Sequence, residues 1–218
     1  MKLYLVRHGE TVQNRANVIQ GQQPGELSPL GLQQRERLAE RLRTLHFDAI
    51  YSSDLKRTRD TLEPYLTAVG EPVVTYSELI RERAFGDLEG FPGEKYVELL
   101  HQAGMSRVEY RPPNGENFHD LKARTDSFVK SIQEQHRGES ILLMTHGGTI
   151  RTLLAFLLNR SVEDLLAMEI RNTSISTVFL DSEFSLQEHT LNDHAHLEGL
   201  EAPGAHSGGV DIMKGTPT

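Results

Sequence analysis

Two apolar runs, Leu3-Tyr4-Leu5-Val6 and Ile141-Leu142-Leu143-Met144, lack the alternation of a half-solvated strand. Continuous runs of this length read as strands buried on both faces, as in a parallel sheet. Both stop at the same pair, His8-Gly9 and His146-Gly147. Further strand signals fall near 48–51, 73–76, 174–180 and 185–190. Helical periodicity fills the gaps. Ser28-Pro29 reads as an N-cap and a first helical residue, with Leu38, Leu42 and Leu45 on one face. A second helix starts near Asp54 and runs past Thr61; Pro64 is expected to kink or stop it, and Gly70 to end the segment beyond that proline. A third covers about 117–135, with Phe118, Leu121, Phe128 and Ile132 on one stripe. A fourth opens at Gly147-Gly148 and carries Ile150, Leu153, Leu154 and Leu157. This alternation predicts an α/β fold, a three-layer α/β/α sandwich around a mostly parallel sheet. Glycines and prolines crowd residues 77–116, which read as a loop-rich cap over the sheet edge. The expected organisation is one domain over 1–198. A tail occupies 199–218, whose five glycines and two prolines predict disorder.

Composition narrows the function. A chain of 218 residues suits one large domain, or one domain with a small cap. The formal charge of -8 argues against nucleic acid as the main partner. No apolar run approaches the roughly 18 residues of a membrane span, and the N-terminus reads as a strand rather than a targeting segment. With no cysteine there is no disulfide or thiolate chemistry, and a cytoplasmic location is the expectation. An acidic protein that binds an anion must gather positive charge locally. Lys56-Arg57-Thr58-Arg59 and Arg81-Glu82-Arg83 are candidates, though such clusters are more often solvated helix faces.

In open α/β sheets, ligands bind just past the carboxyl ends of the strands. Two strands that each deliver a histidine to that edge can place two imidazoles face to face. Arg7 beside the first makes an anion the target, and phosphate the favoured anion. A neutral imidazole is a competent nucleophile toward phosphorus.

Leu5-Val6-Arg7-His8-Gly9-Glu10-Thr11 resembles the signature of the histidine phosphatase superfamily, the phosphoglycerate-mutase-like enzymes. Asn14 matches the asparagine that comes after it in many members, and Leu27-Ser28-Pro29-Leu30-Gly31 resembles the family's helix opening. Tyr51-Ser52-Ser53-Asp54-Leu55-Lys56-Arg57-Thr58 is similar to its second phosphate-pocket segment. Glu82 falls at the acid position, and Thr145-His146-Gly147-Gly148 resembles the distal histidine motif. The matches come in family order across residues 3–151.

The resemblance implies a role for each residue. His8 would attack phosphorus and carry a phosphohistidine; it must be neutral, with its other ring nitrogen held by an acceptor. Arg7 and Arg57 would grip phosphoryl oxygens as forked donors. His146 would bind the same oxygens and stabilise charge in transfer, and Asn14 would add a hydrogen bond. The helix opening at Gly147 would add N–H groups and a dipole. Glu82 would protonate the leaving alcohol and then activate water. A glutamate is ordinarily ionised at neutral pH, so that role asks for burial or the phosphate's own charge to hold its proton. Glu82 could instead pair with Arg81 or Arg83, in which case Glu116 is the alternative acid. His189, Asp193, His194 and His196 are spaced closely enough to suggest zinc. The segment Leu191–Leu197 instead resembles a C-terminal stretch of family phosphatases, which use no metal.

The expected activity is therefore a metal-independent phosphomonoester hydrolase, a phosphatase of the histidine acid phosphatase type, with no cofactor. Its partner would be a small phosphorylated metabolite, with no nucleic acid and no membrane; a homodimer is left open. Phe85-Gly86-Asp87-Leu88-Glu89-Gly90 and the short stretch between Glu82 and His146 resemble the phosphatase branch. The alternatives are a cofactor-dependent phosphoglycerate mutase and a weakly active scaffold that binds phosphoryl ligands.

Overall fold

The computed structural model describes residues 1–200. Most of the tail expected over 199–218 therefore lies outside the described residues. The elements run β1 (Lys2–Arg7), α1 (Val12–Arg15), α2 (Pro29–Leu42), β2 (Ala49–Ser52), α3 (Lys56–Ala68), β3 (Thr75–Tyr76), α4 (Gly93–Ala103), α5 (Phe118–Gln135), β4 (Ser140–Thr145), α6 (Gly147–Leu157), α7 (Val162–Leu166), β5 (Ile175–Leu180) and β6 (Leu186–Asp193). The strands form one mixed sheet in the order β3-β2-β4-β1-β5-β6. Strands β3, β2, β4 and β1 are parallel, while β5 runs antiparallel to both β1 and β6.

Two apolar faces explain the three layers. Successive strand side chains point to opposite sides of a sheet. Leu3, Leu5, Ile141 and Leu143 pack on one side with Phe128, Ile132, Leu153 and Leu154 from α5 and α6. Tyr4, Val6, Leu142 and Met144 pack on the other with Leu38, Leu42, Leu62 and Tyr65 from α2 and α3. Both faces being covered is why β1 and β4 are apolar without alternation. Edge strand β6 is largely exposed and mostly polar.

Helix starts obey local chemistry. Ser28 caps α2 by accepting from the Gly31 amide at 3.0 Å, with Pro29 at the first position. A Cβ on Gly31 would lie 2.0 Å from the Glu10 carbonyl oxygen, so only glycine lets α2 pack on the backbone after β1. Asn117 and Asp120 form a reciprocal capping box at the start of α5.

Two expectations change. Helix α3 passes through Pro64 and runs on to Ala68. A proline deprives the carbonyl four residues earlier of its helical donor. Here that carbonyl, of Asp60, accepts instead from Arg35 Nη1 of α2 at 3.0 Å. A neighbouring helix thus replaces the missing bond. The stretch 77–116 is also less loop-like than its composition suggests, because it contains α4. Tyr96 and Leu100 of that helix are buried against Ile19 and Leu88 in a small third apolar cluster. Flanking Pro92 and Gly104 punctuate the helix at its ends rather than breaking it.

Candidate active site

Strand register sets the geometry. Arg7 of β1 stands beside Thr145 of β4, so each histidine lies one residue past a paired strand end. The His8 amide extends the ladder by donating to the Thr145 carbonyl at 3.0 Å. The imidazoles of His8 and His146 then face each other with ring centroids 5.2 Å apart.

Hydrogen bonds assign both tautomers. His8 Nδ1 lies 2.7 Å from the Gly9 carbonyl oxygen. A carbonyl can only accept, so Nδ1 carries the proton and Nε2 keeps a lone pair. His146 Nδ1 lies 3.2 Å from Arg57 Nε. A guanidinium can only donate, so His146 Nδ1 accepts and Nε2–H donates to Ser53 Oγ at 2.8 Å. Burial, then the guanidinium charges of Arg57 and Arg7, push His8 well below the usual histidine pKa. His146 is pushed well below it too, by burial and then by Arg57. Both rings are neutral at physiological pH.

Two buried guanidiniums flank the pair. Arg57, on the first turn of α3, is 1% exposed. Its Nη1 and Nη2 donate to the carbonyls of Gln23 and Gly21, each at 2.8 Å. Arg7 donates from Nη1 to the Ile170 carbonyl at 2.5 Å. Burial lowers both arginines to about 10, so both remain cations at neutral pH. Asn14 sits in a capping box with Thr11, in which its Oδ1 accepts from the Thr11 amide. Its amide NH2 is thereby directed to donate. Gly147 opens α6 beside Arg7, a Cβ there lying 3.5 Å from Arg7 Nε.

Glu82 reaches the same place from a loop. Its Oε2 accepts from the Gly148 amide at 3.0 Å, and Oε1 from the Arg83 amide at 2.8 Å. One of the N–H groups at the start of α6 is thus given to a carboxylate of the protein itself. Neither neighbouring arginine is its ion partner: Arg81 pairs with Asp54 and Glu78. Arg83 stacks over the rings of Phe85, Tyr96 and Phe118. Glu116 is held otherwise, in a fork with Arg124 at 2.8 and 2.9 Å. Burial pushes its carboxyl up, but Arg124 and the Ala84 amide outweigh that and leave it below the usual glutamate range.

The structure therefore brings together Arg7, His8, Asn14, Arg57, Glu82, His146 and Gly147, while Glu116 sits behind the Glu82 loop. Among the described residues, no group of three or more His, Asp or Glu is placed to hold a metal ion. Some neighbours escape a reading of the sequence. Ser53 comes directly after β2 and meets His146. Asn172 donates to the His8 carbonyl at 2.9 Å, and Arg124 braces the Glu82 loop. Ser53 lies inside the Tyr51–Thr58 motif, at a third strand end, and could have been found. Asn172 and Arg124 carry no such signal.

The profile of the histidine phosphatase superfamily (branch 1) matches residues 3–193. The chain belongs to that superfamily. It is an enzyme of the phosphatase type, as its relatives and structural neighbours indicate. A probable phosphatase of Schizosaccharomyces pombe is 32% identical over 211 residues, spanning 92% of this chain and 97% of the relative. A metal-independent phosphoserine phosphatase of Arabidopsis thaliana is 34% identical over 205 residues, spanning 91% and 84%. Probable phosphoglycerate mutases are also among the relatives. The solved structure of Bacillus stearothermophilus YhfR superposes with a TM-score of 0.81 at 31% identity, covering 90% of this chain and 99% of that one. Among the described residues no helix is long and apolar enough to cross a membrane.

Proposed function

We propose that this protein hydrolyses small phosphomonoesters through a phosphohistidine on His8, without a metal. The observation that carries this reading is the tautomer of His8. Its proton is fixed on Nδ1 by the Gly9 carbonyl, and its Nε2 lone pair faces a site flanked by Arg7 and Arg57.

In the first step Nε2 attacks phosphorus and the bond from phosphorus to the leaving oxygen breaks. That oxygen takes a proton from Glu82, which the negative charge of the arriving phosphate favours in its protonated form, and departs as the alcohol. Arg7 and Arg57 hold outer phosphoryl oxygens, the Nε2–H of His146 exchanges Ser53 Oγ for a third when substrate binds, and Asn14 adds a donor. Transfer needs positioned positive charge more than covalent chemistry, and two buried cations supply it. In the second step the Glu82 carboxylate takes a proton from water. The water oxygen attacks phosphorus, the phosphorus–nitrogen bond breaks, and His8 returns neutral. Glu116 suits the acid role poorly, because Arg124 holds it as an anion.

The phosphoserine phosphatase among the relatives makes phosphoserine a first substrate to try, beside sugar phosphates and 3-phosphoglycerate. The mutase names support a second reading. An assay with 3-phosphoglycerate and catalytic bisphosphoglycerate separates the two. Phosphate release in EDTA should exceed formation of 2-phosphoglycerate. Faster mutase turnover, or activity lost to EDTA and restored by zinc or magnesium, would refute the proposal.

A further inference from the structure

The segment that carries Glu82 belongs to no strand and to no long helix. Residues 81–85 run between two short 3-10 turns, Glu78–Ile80 and Gly86–Leu88. A chain of this kind must find donors for its carbonyls elsewhere. It finds them in side chains. Thr145 Oγ1 donates to the Ile80 carbonyl at 2.6 Å, and Thr149 Oγ1 to that of Arg81 at 2.7 Å. Gln22 Nε2 donates to the Glu82 carbonyl at 3.0 Å. Arg124, from α5, makes the largest share. Its Nη1 reaches the carbonyls of Leu79 and Arg81 at 2.9 and 2.8 Å, and its Nη2 that of Glu82 at 2.8 Å. Its remaining donors grip both oxygens of Glu116, which also accepts from the Ala84 amide at 2.9 Å.

We infer that Arg124 and Glu116 together are positioning residues for Glu82, locking residues 79–84 so that its carboxylate meets the Gly148 amide beside the two histidines. This rests on the reading of Glu82 as the acid and base. A guanidinium is the fitting choice, since only its planar fork can serve three carbonyls and a carboxylate at once. Lysine has the charge without the fork. The carboxylate of Glu116 fixes the plane of that fork and ties Ala84 to the same point. Reacting groups must be held within about 0.5 Å of the productive geometry, and a loop cannot do that unaided. All five N–H groups of Arg124 are taken up by these carbonyls and by Glu116.

The test measures Glu82→Gln, Arg124→Gln, Arg124→Lys and Glu116→Gln, with the two double variants that add Arg124→Gln or Glu116→Gln to Glu82→Gln. Each is assayed on glycerol 3-phosphate, whose alkoxide needs a proton to leave, and on p-nitrophenyl phosphate, whose phenolate does not. Arg124→Gln and Arg124→Lys should lower kcat on glycerol 3-phosphate about 10- to 100-fold, the scale of a misplaced catalytic group. Both should lower kcat on p-nitrophenyl phosphate less than about threefold, since general-acid assistance matters little there. Glu116→Gln, which keeps the shape, should show the same selectivity at smaller size. Neither substitution should add to the loss in Glu82→Gln. Equal losses on both substrates, or losses that multiply with Glu82→Gln, would overturn the inference and leave a merely structural pair. If Glu82→Gln discriminates between substrates and the Arg124 variants do not, the inference alone fails. If Glu82→Gln itself shows no discrimination, the acid assignment fails and the inference falls with it.

Discussion

On the proposed reading the pocket has two halves, one for the phosphoryl group and one for the acid, built in different ways. The phosphoryl half stands on regular structure: His8 and His146 sit just past adjacent parallel strands, and Arg57 lies on the first turn of a helix. The acid half hangs on a loop, and Glu82 is placed by side-chain donors to main-chain carbonyls. Strand register sets Arg7 and the two histidines and a helix start sets Arg57, whereas the second half needs contacts from α5, α6 and residue 22. The phosphoryl half should therefore act on every phosphoester alike. The acid half should act only where the leaving group needs a proton.

Removing the proposed nucleophile should have the largest effect. His8→Ala should lower turnover of alkyl and aryl phosphates alike by more than about 10³-fold, the scale seen when an enzyme loses its nucleophile. Glu82→Gln should lower hydrolysis of glycerol 3-phosphate by about 10²–10⁴-fold, the usual range for a general acid, and spare p-nitrophenyl phosphate. Equal loss on both substrates would erase the distinction between the halves.

A gentler substitution alters no catalytic residue. A Cβ on Gly148 would lie 2.3 Å from Glu82 Oε1, the far end of a flexible side chain. Gly148→Ala should push the carboxylate aside while α6 stays folded. It should lower glycerol 3-phosphate turnover roughly tenfold, and p-nitrophenyl phosphate much less, since the phenolate leaves without a proton. Thermal melts would check that the fold persists.

The phosphoryl half should also show itself in stability against pH. The imidazoles of His8 and His146 have folded pKa values well below 6.5, whereas the unfolded chain returns them to about 6.5. Above that pH both states are neutral. Below it the unfolded chain binds protons that the folded chain refuses, so stability falls as pH falls. The loss approaches about 1.4 kcal/mol per pH unit for each ring. Melts from pH 7.5 to 5 should show a shallower slope in His146→Gln than in the parent; an unchanged slope would contradict the buried neutral ring. The smallest effect is expected outside both halves. Arg35→Ala leaves the Asp60 carbonyl without its replacement donor and should cost about 0.5–1.5 kcal/mol in denaturant melts, with kcat unchanged.

The same contrast explains what the sequence could reveal. Buried parallel strands announce themselves as unbroken apolar runs, so β1 and β4 were legible, and with them the two histidines. Ser28-Pro29 was legible because capping is local chemistry. Pro64 misled because its repair comes from Arg35, on another helix. Helix α4 was hidden between Pro92 and Gly104, which composition reads as loop. Glu82 was found through its resemblance to a motif, but the group that holds it was not. Arg124 looks like any solvated helix arginine until the fold brings residues 79–82 beneath it, and Glu116 reads as a spare acid until that arginine claims both its oxygens.

The proposed covalent catalysis by His8 is tested by a rapid quench of the enzyme with a phosphomonoester carrying labelled phosphorus. A transient phosphoprotein should appear that is stable in base and labile in acid, maps to His8 and disappears in His8→Ala. Burst kinetics with no label on the protein, or label that persists in His8→Ala, would contradict a phosphohistidine at that position.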